Sequence, residues 1–281
     1  MIRWVLASPG LIALGLFIVG IIYTVALSLH YYKVAVGPPK FVGWDNYFQL
    51  FSDPTFSKAL AVTVTFVATA ALLETAIGVA LAYGLMWTRR RGVYVGLLTI
   101  PYLVPSVTYV VFWRYMLDYR RGALAPVAEF FGFRIPDFLG NPDTALWAIV
   151  GLDVLQLTPF VTLIVFAGLL AVPPEVISAA RIDGARGFSM ALRVVLPLAS
   201  SAILAALFLR LIDAFRIFVK VWLLTRGGPG DSTTTLELYL YTRGIYTLDL
   251  GLASAVSVVL LGISMAAIVP YVYLVAKTWR A

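Results

Sequence analysis

The sequence predicts an all-α membrane protein with six transmembrane helices, and three observations carry that prediction. Hydrophobic residues make up 61% of the 281 and charged residues only 12%, where a soluble domain has roughly 45–50% and about 25%. Mean hydropathy is +0.93. Six stretches reach the roughly 20 apolar residues that a bilayer core about 30 Å thick requires. A surface so poor in charge cannot be solvated by water alone, so lipid is the solvent for most of the chain.

The first stretch, 5–29, has no charge between Arg3 and His30. It is too long for a signal-peptide core and has no small-x-small cleavage pattern, so it is expected to be a retained helix. The second, 60–87, is interrupted only by Glu74. The third, 93–117, carries Pro101 and Pro105 one turn apart, which predicts a kink. The fourth, 144–170, contains Asp153 and Pro159; the fifth runs 197–224 and the sixth 252–276. Segments 30–59 and 118–143 are mixed polar and long enough for short interfacial helices. Residues 1–58 are expected to form the first helix with its outer loop, and 59–281 a core of spans two to six.

Orientation follows the Lys/Arg bias of short loops. With both termini inside, that side holds Arg3, Arg89, Arg90, Arg91, Arg181, Arg186, Arg193, Lys277 and Arg280. The other side holds Lys33, Lys40, Lys58, Arg120, Arg121, Arg134, Arg226 and Arg243. Nine against eight decides little, but the Arg89–Arg91 cluster and the basic tail sit closest to helix ends and favour termini inside.

Composition also excludes chemistry. With no Cys and one His, Cys-ligated zinc, iron–sulfur clusters and disulfides are ruled out. The net charge of +7 suits loop anchors in a membrane protein better than nucleic-acid binding. None of the five lysines follows a glycine, so the phosphate-cradling Gly-Lys-Ser/Thr loop is absent. His30 stands alone at the end of the first stretch. No metal or cofactor is expected on this chain.

The segment 171–197 between spans four and five has a different character. Pro173 and Pro174 end one helix, and Glu175 complements the positive end of the next. Val176, Ile177, Ala179 and Ala180 make a short, narrow helix; Gly184 permits a sharp turn; Phe188 to Val195 make a second short helix, and Pro197 fits the first turn of span five. A helix–Gly–helix elbow suits insertion into a groove on another protein. An ordinary amphipathic interfacial loop would read similarly.

Ser178-Ala179-Ala180, Gly184, Val194, Leu196 and Pro197 resemble, spacing for spacing, the coupling loop of membrane subunits of binding-protein-dependent ABC importers. Phe41-Val42-Gly43-Trp44-Asp45-Asn46-Tyr47 and Leu224-Thr225-Arg226-Gly227-Gly228-Pro229-Gly230 are similar to stretches of the sugar and glycerol-phosphate branch of that family, in the first of two paired permeases. The resemblance implies a cytoplasmic coupling loop, a second homologous permease and two copies of a cytoplasmic ATPase that binds ATP and Mg. It also implies an external solute-binding protein. One position departs: the family's Glu is Ser178. Glu175, Arg181 or Asp183 could supply a substitute ion pair.

Charges inside apolar spans ask for partners or a wet cavity. Arg210, Asp213, Arg216 and Lys220, spaced three, three and four, are expected on one stripe of a continuous span five. Asp153, Gln156 and Phe160 share a face of span four. The resemblance places solute-path positions on Asp153, Gln156, Leu157 and Phe160, and on Arg210, Asp213, Ala214 and Ile217. Two readings of the stripe stand: a hydrated solute path, or a structural ladder with Asp213 held by Arg210 and Arg216 and Lys220 reaching outward. Glu74, isolated in span two, reads as a packing residue. Mixed Asp/Arg polarity suits a neutral mono-, di- or oligosaccharide, and the cationic excess of span five suits a phosphorylated polyol such as glycerol phosphate. A secondary carrier that uses the intramembrane carboxylates is the rival class.

Overall fold

A computed structural model describes the backbone of residues 2–278 and the side chains of residues 9–269. Arg3, Lys277 and Arg280, which the charge-bias reading puts inside, have side chains outside the described residues. The chain runs α1 (Ile2–Ser28), β1 (His30–Tyr31), β2 (Lys40–Phe41), α2 (Asp45–Ser52), α3 (Pro54–Met86), α4 (Arg91–Leu103), α5 (Ser106–Met116) and α6 (Leu124–Phe130). It continues with α7 (Pro142–Leu170), α8 (Pro174–Ile182), α9 (Gly187–Met190), α10 (Leu196–Leu198), α11 (Ser200–Ala214), α12 (Val219–Leu224), α13 (Leu236–Tyr241) and α14 (Leu250–Thr278). Single π-type turns occupy Ala191–Val195 and Thr242–Tyr246. The only regular strands among the described residues form a two-residue antiparallel pair, His30 opposite Phe41.

Among the described residues, four helices are long and apolar enough to cross a membrane: Pro9–Ser28, Pro54–Met86, Pro142–Leu170 and Leu250–Val269. Two bent pairs bring the number to six when each counts as one crossing: α4 with α5, bent by 88°, and Gly187–Leu198 with Ser200–Ala214, bent by 75°. The all-α membrane reading therefore stands. The third span is more than kinked. Pro105 forces Val104 out of helical geometry (ψ 125°), and the chain turns nearly at right angles between α4 and α5.

The fifth span is where the expectation fails. The helix ends at Ala214 and resumes at Val219, so Arg216 falls in the break and Lys220 on a separate short helix. An unbroken helix would carry Lys220 about 15 Å along the axis from Arg210. The break lets both cations reach one carboxylate, Asp153.

The chain divides into two units, 1–60 with 236–265, and 61–235 with 266–281. In the first, Leu50, Phe56, Ala59, Leu236, Tyr239 and Leu252 form an apolar core. Asn46, buried, donates to the carbonyls of Ser28 and His30 and so ties α2 to the end of α1. Asp53 accepts from the Tyr239 hydroxyl at 2.6 Å and from Arg243 at 2.7 Å. In the second unit, Ala82, Val161, Val165, Phe166, Leu169, Met190 and Val195 form the core. Glycines let its helices close up: a Cβ on Gly78 would sit 2.6 Å from Val161 Cγ1, and one on Gly168 would collide with Ala202. This is the small-residue packing that membrane helices use in place of a hydrophobic driving force.

Candidate functional site

The second unit carries a charged cleft of about 150 Å³ lined by Ser106, Asp153, Leu157, Arg210, Asp213, Ala214, Arg216, Ile217, Phe218, Val219 and Lys220. Four helices and a link build it. α5 supplies Ser106, α7 supplies Asp153 and Leu157, the last turn of α11 supplies Arg210, Asp213 and Ala214, the irregular link to α12 supplies Arg216 to Phe218, and α12 supplies Val219 and Lys220. Non-helical backbone within a membrane span is tolerated where it lines a cavity, and the break at Phe215–Phe218 does so.

The charges are paired in a chain. Arg210, 1% exposed, places Nε and Nη2 on the two oxygens of Glu74. Its Nη2 also reaches Asp153 Oδ2 at 3.0 Å, and its Nη1 reaches Asp213 Oδ2 at 2.5 Å. Asp153 gives its other oxygen to Lys220. Glu74, Asp153 and Lys220 are all buried, whereas the Asp213 side chain is 59% exposed. Arg216 is exposed and belongs to none of the ion pairs found among the described residues.

Six of the eight solute-path positions read from the sequence therefore meet in one cleft: Asp153, Leu157, Arg210, Asp213, Ala214 and Ile217. Gln156 and Phe160 lie elsewhere. Gln156 is buried, donates to the Val104 carbonyl at 3.1 Å and leaves Oε1 without a hydrogen bond. Phe160 stacks on Tyr102, with ring centroids 5.7 Å apart. Two sequence readings need correction. Glu74 is no isolated packing residue but the bidentate partner of Arg210, and Lys220 does not reach outward but lies buried against Asp153. Their partners are 136 and 67 residues away in the chain, so no local spacing reveals them. The one available signal was that spans two, four and five hold three acids and three bases.

The second feature is the elbow. α8 ends at Ile182, Gly184 turns at φ +84°, Gly187 at φ +51°, and α9 begins. Both glycines adopt the left-handed region that other residues avoid. Glu175, Ser178, Ala179, Arg181 and Asp183 are exposed, Ala180 is half-buried, and Ile177 is buried beneath them. Ser178 donates to the Pro174 carbonyl at 2.9 Å, within its own helix. Arg181 lies over the Trp87 ring at 5.0 Å, and the Tyr83 hydroxyl donates to the Gly187 carbonyl at 2.9 Å. These contacts fasten the elbow to the end of α3. Leu196 and Pro197 form the short helix α10 that leads into α11. Sequence reading overlooked Ile182, 87% exposed, and passed over the exposure of Phe188, at 78%. Large apolar side chains flanking a glycine turn in a polar loop were the signal.

Outside the spans, burial pushes the Asp53 carboxyl up, but hydrogen bonds from Tyr239 and the Thr55 amide, with the Arg243 charge, hold it below its ordinary value. The Tyr239 phenol is pushed up to about 12, by burial first and then by its bond to Asp53.

A helical membrane chain with a charged internal cleft, and a helix–Gly–helix elbow between the two helices that build most of it, defines a permease-type subunit. The chain belongs to the family of binding-protein-dependent transport system inner membrane components, whose model matches residues 74–278. It is 36% identical over 251 residues to the trehalose/maltose transport system permease protein MalF of Thermococcus litoralis, covering 88% of this chain and 84% of that one. It is 30% identical over 270 residues to the sn-glycerol-3-phosphate transport system permease protein UgpA of Escherichia coli, covering 92% and 90%. Among solved structures, a chain of a bacterial ABC transporter that imports the acidic polysaccharide alginate superposes with a TM-score of 0.79 at 17% identity, over 99% of each chain. The protein is thus a multi-pass membrane component of such a transport system.

Proposed function

We propose that this chain forms half of the translocation path of an ATP-driven importer of a sugar, a mono-, di- or oligosaccharide. The observation that carries the reading is the shared frame of cleft and elbow: α7 and α11 hold Asp153, Arg210 and Asp213, and the segment joining the two helices is the elbow. Displacing the elbow therefore moves both walls of the cleft, a rigid-body coupling of the kind that switches access. Glu175, Ser178, Ala179, Ala180, Arg181, Asp183 and Gly184 would face a cytoplasmic ATPase, with Ile182 and Phe188 as its apolar contacts. The ATPase, in two copies, would bind ATP and Mg; this chain would bind no cofactor. A second, homologous permease would line the other half of the path, and an external binding protein would deliver solute. Both termini would be cytoplasmic, residues 1–58 an outer appendage and 59–281 the permease core.

The trehalose/maltose relative supports a neutral sugar, as does a cleft whose charges balance. The glycerol-phosphate relative and the unpaired Arg216 favour a phosphorylated polyol as the second reading. An ion-gradient carrier has less support, because Glu74, Asp153 and Asp213 are each salt-bridged rather than available to relay protons. The test is co-purification of this chain with its genomic neighbours, followed by ATPase assay with and without Ala179→Trp. Ala179 is exposed in α8, so the bulk is presented to a partner and not to the core. An ATPase that co-purifies, and loses docking or coupled hydrolysis in the variant, supports the reading; a chain that recruits no ATPase and is indifferent to the variant overturns it.

A further inference from the structure

The cleft has an owner that does not touch it. Glu74 is fully buried on α3 and is absent from the cleft wall, yet its two oxygens occupy Nε and Nη2 of Arg210. Of the five N–H groups of a guanidinium, Arg210 gives two to Glu74, one to Asp153 and one to Asp213. Its charge is engaged by protein on every side. Lys220 is likewise engaged by Asp153. What remains for a solute is the exposed pair at the lip, Asp213 and Arg216, an acceptor and a donor one turn of chain apart.

The cluster holds three acids, Glu74, Asp153 and Asp213, against three bases, Arg210, Lys220 and Arg216. It is neutral only because Glu74 is counted. Without that carboxylate the cleft would face its solute with one excess positive charge, in surroundings where charge is poorly screened.

We propose that Glu74 is a specificity-determining residue: by neutralising Arg210 from behind, it makes the cleft accept an uncharged polyhydroxy solute and disfavour an anionic one. This rests on the reading of the cleft as the solute path. A carboxylate remote from the solute would thus decide whether this cleft passes neutral or acidic cargo, with the lip pair unchanged.

The experiment uses the assembled transporter in nanodiscs without its binding protein, so that only the permease selects. Saturation-transfer NMR measures binding of two probes, trehalose and sn-glycerol 3-phosphate, and the readout is the ratio of their dissociation constants. One unit charge acting over about 10 Å at an effective dielectric of about 20 is expected to shift that ratio about tenfold toward the phosphate in Glu74→Gln. Glu74→Asp keeps the wild-type ratio. The double variant E74Q/R216Q restores charge balance without restoring the Glu74–Arg210 geometry, and returns the ratio to that of wild type. Equal weakening of both probes in E74Q, or no rescue by R216Q, assigns Glu74 a merely structural role and overturns the proposal. If E74Q does not assemble, R216Q and R216K together carry the test, because the exposed side chain supports no packing: the ratio moves about tenfold away from the phosphate in R216Q and stays in R216K, and an unmoved ratio in R216Q or an equal shift in R216K overturns the proposal. A wild-type complex that binds neither probe overturns the reading of the cleft itself, which is a different failure from an unshifted ratio.

Discussion

Among the described residues, two acid–base clusters use similar residues in different solvents. In the spans, Glu74, Arg210, Asp153 and Lys220 are almost fully buried. Outside them, Asp53, Tyr239 and Arg243 are linked just as closely, but the Asp53 and Arg243 side chains keep 20% and 34% exposure. A half-solvated cluster can lose a member and let water take its place. A buried one cannot, because removal of one partner leaves a charge with nothing to solvate it. The pairing is comparable; the consequence of breaking it is not.

The largest expected effect follows from Asp153→Ala, which strips Lys220 of its partner and Arg210 of one of three. Destabilisation of about 3–5 kcal/mol is expected, read as a fall in the thermal midpoint of the complex in nanodiscs. A loss no greater than that of an exposed salt bridge would erase the contrast between the clusters. Asp53→Asn is expected to cost about 0.5–1 kcal/mol at neutral pH. Its pH dependence sharpens the comparison. The Asp53 pKa is lowered on folding, so its stabilisation is complete above the unfolded value near 3.8 and is lost as pH falls through the lower folded value. Unfolding midpoints of wild type and variant should therefore differ at pH 7 and converge below about pH 4; a gap that persists in acid would assign the effect to packing. The smallest effect on stability is expected at Arg181, whose exposed guanidinium over Trp87 contributes about 0.5 kcal/mol. Arg181→Glu should leave assembly measurable while lowering transport-coupled ATP hydrolysis. Unchanged coupling would mean that Arg181 does not compensate for the missing glutamate at Ser178.

Much of this architecture was legible because its causes are local. Apolar runs gave the spans, Pro101 and Pro105 marked the bend in the third, and Gly184 the elbow; α7 starts at Pro142, two residues before the expected 144, where Asn141 accepts the Asp143 amide at 3.0 Å. The break after Ala214 was not legible. No Pro or Gly lies at Phe215–Phe218, and the pull that favours it comes from a carboxylate on another helix. The same holds for Glu74: its chemistry was visible and its partner was not, because a salt bridge spanning 136 residues leaves no periodic trace. Gln156 and Phe160 were placed on the cleft face by helical spacing and by the family resemblance; close packing of α7 against Val104 and Tyr102 claimed them instead.

The span of that salt bridge also sets an order of events during synthesis. α1 buries only Ser28 in Pro9–Ser28, so nearly all of it can enter lipid as soon as it is made. α3 and α7 cannot do so on the same terms, because each carries a carboxylate whose cation lies downstream: Arg210 follows Glu74 by 136 residues and Asp153 by 57. At roughly 5–20 residues per second, Glu74 exists for on the order of ten seconds before Arg210 is translated. During that interval Glu74 lacks its cation, and in lipid it costs the second span about 2.5–3.5 kcal/mol until the fifth arrives.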